Sequence, residues 1–197
     1  MQYIALIGCG LMGGSLGLAL RTHRPDVDIV GWDGPGTLAT ALKMGAISRS
    51  AESLEDAVSN ADLIVLAAPL SATVALFEEI GPMVREGVWI HDLCSVKQPV
   101  AQATAKHLPH CHFVGGHPMT GSEKSGIRHA DAALYENATY ILCPDEASAA
   151  LDGYVSLQGL LRDTGARLLE MTPEAHDRVA ARVSHLPQIL SVLLVNL

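Results

Sequence analysis

A chain of 197 residues is long enough for one domain with a sizeable core, or for one domain and the start of a second. Apolar residues make up 49% of it and charged residues 17%, with a net charge of −8, which argues against disorder and against an electrostatic nucleic-acid surface and points to small-molecule work. Cys9, Cys94, Cys111 and Cys143 show no Cys-x-x-Cys spacing, the start of the chain lacks a signal-like segment, and the longest apolar runs fall short of the roughly 20 residues of a membrane helix, so the expectation is a cytoplasmic protein with no membrane partner.

In chain order, apolar runs at residues 3–8, 28–32, 63–68, 88–92, 112–114, 139–143 and 167–170 read as strands. Ala-rich or amphipathic segments at 11–21, 37–43, 72–80, 99–107 and 147–163 read as the helices between them. This alternation predicts a Rossmann-type, doubly wound α/β domain with a mostly parallel sheet over residues 1–170. Thr172 followed by Pro173 is a helix start, and the spacing puts His176, Val179, Ala180 and Val183 on one face. Residues 171–197 therefore read as the beginning of an all-helical domain. Residues 189–195 are apolar nearly all round, a pattern suited to a buried helix, so the expectation is a longer protein or a helix completed by another subunit.

The first strand runs into Gly8-Cys9-Gly10-Leu11-Met12-Gly13, and 20 residues beyond Gly13 the second ends in Trp32-Asp33. In this context the glycines serve a tight turn, close approach of a pyrophosphate and close helix–strand packing, with the helix N-terminus facing phosphate charge. Asp33 is placed to accept hydrogen bonds from ribose hydroxyls. Its carboxylate would repel a 2′-phosphate, and the following Gly34-Pro35-Gly36 offers no cation to bind one, so NAD is expected rather than NADP. Ala67, Ala68 and Pro69 end the third strand and either flank the cofactor or simply stop the strand.

The most unusual stretch is 115–126, which sets four glycines around His117, Ser122, Glu123, Lys124 and Ser125. It reads as a polar, glycine-rich loop in which Pro118 biases His117 toward an extended conformation. With an ordinary pKa near 6.5, such a histidine suits the removal of a hydroxyl proton. Ser95 follows another strand and has two readings: a capping box with Gln98, or a ligand contact if Pro99 opens the helix. His110 and His112 could share a strand face, but nothing at a recognisable spacing completes a metal set, so no metal is expected.

Residues 8–17, 92–97 and 115–126, together with Glu174-Ala175-His176-Asp177 and Ser184-His185-Leu186-Pro187, resemble the prephenate and arogenate dehydrogenases of tyrosine biosynthesis. The resemblance runs the length of the chain and is most specific around His117. It implies NAD-dependent oxidation of the ring alcohol of prephenate with loss of carbon dioxide, giving 4-hydroxyphenylpyruvate, or the matching reaction of arogenate giving tyrosine. It assigns the proton to His117 and the alignment of hydroxyl and nicotinamide to Ser95. Ser122 and Glu123 then line the pocket mouth, Ser184 and His185 approach from the helical domain, and Gln188 stands where relatives often carry a second histidine. A carboxylate-binding arginine is expected beyond Leu197, and a homodimer through the helical region. Two rival readings are a β-hydroxyacid dehydrogenase, which leaves the His117 segment unexplained, and a non-catalytic NAD-binding redox sensor.

Overall fold

The computed structural model describes residues 1–196. Its strands are β1 (Tyr3–Ile7), β2 (Asp28–Trp32), β3 (Arg49–Ser50), β4 (Leu63–Leu66), β5 (Trp89–Asp92), β6 (His112–Pro118), β7 (Thr139–Pro144) and β8 (Arg167–Glu170). The helices are α1 (Leu11–His23), α2 (Pro35–Met44), α3 (Leu54–Val58), α4 (Leu70–Ile80), α5 (Gln98–His107), α6 (Glu146–Ala149), α7 (Asp152–Asp163), α8 (Pro173–Ala180) and α9 (Leu186–Val195). The strands form one eight-stranded sheet in the order β3-β2-β1-β4-β5-β6-β7-β8. Every pairing is parallel except β6 with β7. The chain reverses its direction of travel across the sheet between β1 and β4, and it is at such a switch point that open sheets bind ligands, outside the carboxyl ends of the strands.

Both faces of the sheet are covered, which is why its central strands are apolar at successive positions. Ile4, Leu6, Leu63 and Val65 pack with Leu16 and Leu20 of α1, Leu38 of α2 and Leu157 and Leu160 of α7. Ala5, Ile7, Ile64 and Leu66 face the other way, against Val58 of α3, Phe77 and Ile80 of α4 and Val100 of α5.

The expected fold is present, with local differences. The short β3 and α3 have too little periodicity to be read from sequence. The predicted helix over 147–163 is two helices, because Leu151 between them is extended and Asp145 accepts from the Ser148 N–H to cap the first. Thr172 caps α8 as expected by accepting from the Ala175 N–H at 3.2 Å. Only His176 and Ala180 of its predicted face are buried; Val179 and Val183 are 42% and 61% exposed. A π-helical turn at Ala181–His185 separates α8 from α9 and shifts the register of everything after it. No residue of α9 is buried within this chain.

The largest correction concerns residues 115–118, which are strand and not loop. β5 accompanies β6 only from His112 to Val114, whereas β7 pairs with it from Val114 to Pro118. Gly115 and Gly116 serve close packing, not turning. A Cβ on Gly116 would overlap the His91 ring and lie 2.5 Å from the Asp92 carbonyl oxygen. Gly116→Ala is therefore expected to lower stability by about 1–3 kcal/mol, as overpacked cores do, and urea unfolding followed by circular dichroism measures it.

Candidate active site

The glycine motif builds the nucleotide edge. Gly8 has φ +93°, and a Cβ there would meet the Ala67 carbonyl at 2.6 Å, so only glycine lets β1 turn against β4. Gly13 packs just as tightly, since a Cβ on it would overlap the Gly8 carbonyl. Gly10 differs: nothing lies within 4 Å of where its Cβ would be. It begins α1 without a side-chain cap, and the first turn carries no acidic residue, so N–H groups are left facing open space.

That space is a cavity of 770 Å³ lined by Gly8, Gly10, Trp32, Asp33, Ala67, Ala68 and Pro69, among others. A second cavity of 320 Å³ shares the residues from Ala67 to Pro69 and adds Leu11, Met12, Leu93 and Lys124. Every residue predicted for the cofactor thus lies on this continuous wall, apart from Gly13 packed behind it. Asp33 is held by the Cys9 N–H at 2.7 Å and the Gly34 N–H at 2.6 Å, which fixes its carboxylate at the end of β2. Lys124 carried no assignment in the sequence; its place on the wall depends on the fold of the segment around it.

At the ends of β5 and β6 lies a buried polar cluster. Asp92 and Lys97 form an ion pair whose side chains are 0% and 1% exposed. Asp92 also accepts from the Cys94 N–H at 2.9 Å and the Gly116 N–H at 3.2 Å, tying the turn after β5 to the strand that carries His117. Helix α5 begins at Gln98 with Pro99 in its first turn, and its cap comes from a distant residue: the Asp177 carboxylate accepts from the Lys97 N–H at 2.7 Å and the Gln98 N–H at 2.9 Å. Ser95 is therefore not the cap; it is exposed on the turn at the ligand edge.

His117 is 9% exposed, with Nδ1 2.8 Å from Nε2 of the fully buried His176. His176 Nδ1 lies 2.8 Å from Asp177 Oδ1. Burial, reinforced by repulsion from His176, Lys97 and His185, pushes the His117 pKa down to about 4 instead of leaving it near 6.5. Burial also lowers His176, against the opposing pull of Asp177. Burial works against the Asp177 charge, yet the N–H groups of Gln98, His176 and Lys97 hold its carboxyl below the usual range. His176 and Asp177 belong to the segment that carries the family resemblance, but their adjacency in sequence gives no sign that they meet a strand 59 residues away.

Ser184 and His185 occupy the π-helical turn half-buried, and Gln188 is exposed on α9. Ser122 and Glu123 are exposed and bonded to each other at 3.2 Å, and Ser122 Oγ also accepts from the Lys124 N–H, which gives the segment after β6 a local fold.

Residues 16–170 match the family described as prephenate dehydrogenase, nucleotide-binding domain. The chain belongs to the prephenate dehydrogenase family. It is 39% identical over 196 residues to the prephenate dehydrogenase of Bacillus subtilis, covering 98% of this chain and 53% of that protein. The solved prephenate dehydrogenase of Aquifex aeolicus in complex with hydroxyphenyl propionate and NAD+ is 31% identical with a TM-score of 0.88, covering 100% of this chain and 68% of that one. The arogenate dehydrogenase of Synechocystis matches with a TM-score of 0.88 at 28% identity, again over 100% and 68% of the two chains. The chain spans about half the length of the Bacillus relative.

His91 is wholly buried, and burial sets its pKa at about 4, as it does for His117. An unfolded histidine titrates near 6.5, so between those values the unfolded chain binds more protons than the folded one. Stability present above pH 6.5 is expected to fall as pH drops toward 4, and thermal unfolding at pH 7 and pH 5 measures the loss. His117→Asn should flatten that dependence.

Proposed function

We propose that this protein is an NAD-dependent dehydrogenase that oxidises prephenate to 4-hydroxyphenylpyruvate. The observation that carries the reading is a neutral, buried histidine on a strand end, at the same sheet edge as an uncapped helix start and a ribose-directed carboxylate. The family membership and the NAD+ complex of the Aquifex relative support it.

The chain fits NAD. The open space at Gly10 and the bare N-terminus of α1 suit a diphosphate, and Asp33 suits unphosphorylated ribose hydroxyls while repelling a 2′-phosphate. When bound, NAD supplies the hydride acceptor. His117 removes the hydroxyl proton as the ring alcohol becomes a ketone, and Ser95, freed from capping, holds that hydroxyl in register. Breaking the bond to the ring carboxylate then releases carbon dioxide and leaves its electron pair to aromatise the ring. The resulting phenolate takes back the proton from His117, so no proton is gained or lost overall. Ser122 and Glu123 border the substrate entrance, with Ser184, His185 and Gln188 on its helical side. The charge-neutral Gln188 makes discrimination between prephenate and arogenate a property to measure directly, with arogenate oxidation to tyrosine as the second reading.

Residues 1–170 form the nucleotide-binding domain in this proposal, and 171–197 open a helical substrate and dimerisation domain. Support for a homodimer comes from α9, where Leu186, Ile189, Leu190, Leu193 and Leu194 are all at least half exposed. A cytoplasmic setting fits four cysteines that are all unpaired and the finding that no described helix is long and apolar enough to cross a membrane.

With the intact protein, NADH formation is expected with prephenate, arogenate or both; tight NAD binding without turnover of either would favour the redox-sensor reading. His117→Asn should lower kcat by about a hundred- to ten-thousand-fold while leaving NAD affinity unchanged, and unchanged turnover would remove the proposed base. Light scattering is expected to find a dimer, and a clean monomer would contradict that assignment.

A further inference from the structure

We propose that His176 and Asp177 are positioning residues that lock His117 in the tautomer with hydrogen on Nδ1, so that its Nε2 carries the lone pair that accepts the substrate proton. This deepens the dehydrogenase reading, on which only its kinetic consequences rest.

The deduction starts at Asp177. Its carboxylate can only accept hydrogen bonds, so His176 Nδ1, at 2.8 Å, must carry a hydrogen and donate. A neutral His176 then has its lone pair on Nε2, which faces His117 Nδ1 at 2.8 Å. Two lone pairs cannot share that contact, so His117 donates from Nδ1. Its remaining nitrogen is left without hydrogen. This is the reverse of the tautomer that a free imidazole side chain favours, so the protein must impose it.

The competing arrangement places a charged His176 between Asp177 and an accepting His117. It would put hydrogen on His117 Nε2 and disable the base. Burial of His176 is the largest influence and opposes that charge, with help from Lys97, and it outweighs the pull of Asp177 and Asp92. The rings face Asp177 on α8, His185 on the π-helical turn, Asp92 at the end of β5 and Lys97 just before α5. Asp177 is itself drawn toward the start of α5, where Oδ1 and Oδ2 accept the Lys97 and Gln98 N–H groups. Those bonds hold the carboxylate in one orientation and spread its charge, so it orients His176 without needing to ionise it.

Proton transfer balances within this arrangement. The hydroxyl hydrogen moves to His117 Nε2, the ring becomes an imidazolium, and its Nδ1–H continues to donate to His176. Asp177 steadies the positive charge through His176 and stays ionised, the part played by the carboxylate of a Ser-His-Asp triad.

Histidine nitrogen NMR on the intact protein, without substrate, tests the tautomer directly. His117 is expected to show hydrogen on Nδ1 and a bare Nε2 near neutral pH, and the opposite assignment in the wild type overturns the proposal. His176→Gln should release His117 toward the tautomer with hydrogen on Nε2. His176→Gln and Asp177→Asn are each expected to lower kcat by about a hundredfold and to move the acid limb of the pH profile, with KM for NAD unchanged. That loss lies between the tenfold of a weak outer partner and the roughly ten-thousand-fold of a triad held in the wrong tautomer. Equal turnover and an unmoved pH profile in both variants would also overturn it. A wild-type protein that oxidises neither prephenate nor arogenate would reject the substrate reading alone, since the tautomer is read without either compound.

Discussion

The ion pair between Asp92 and Lys97 holds the site together. Both side chains are shut away from water, so each charge depends on the other, and removing one partner from such a pair typically costs about 3–5 kcal/mol. Asp92 ends β5, Lys97 closes the turn after it, and the second carboxylate oxygen of Asp92 reaches the backbone of β6 beside His117. The backbone of Lys97 donates to Asp177, which lies on α8 outside the sheet. Three segments far apart in sequence therefore meet at one neutralised pair, and the turn that carries Ser95 is held from both ends.

Two of the helices that begin at this edge of the sheet are treated oppositely. The start of α5 is satisfied internally by the Asp177 carboxylate, whereas that of α1 has no side-chain partner. A helix start carries about half a positive charge, so the uncapped one retains its attraction for anions while the capped one gives it up to hold α8 in place. The same local physics yields a binding element in one case and an internal fastening in the other.

Much of this was legible in the sequence because the signals are local. The strand and helix alternation, the glycine spacing before α1, Asp33 at the end of β2 and the Thr172 cap each depend on residues a few positions apart. Residues 115–118 misled because four glycines within twelve positions suggest a turning loop. Their small size instead admits the His91 ring and the Asp92 carbonyl, a contact between strands that composition cannot reveal. The acidity of His117 was likewise out of reach, since it follows chiefly from burial beneath other segments and from the nearby Lys97. His176 was placed on the correct face of α8 by periodicity, but its partner could be found only once α8 was seen against β6. Val183 departed from that face because it lies in the π-helical turn, which breaks the regular period, whereas Val179 precedes the turn and is exposed at the edge of the face.

The reversal of β7 has a consequence for how this scaffold can vary. Past Val114, β6 has lost its parallel neighbour, and the antiparallel ladder with β7 alone carries the imidazole outward. A strand alternates faces with every residue and advances about 3.4 Å each time. Inserting or deleting one residue before His117 would turn its ring to the opposite side of the sheet, and a change of two would displace it by about 7 Å. The exposed segment from Gly121 to Gly126 has no such ladder to keep in step. Length variation among descendants of this chain should therefore collect after the histidine and be absent before it.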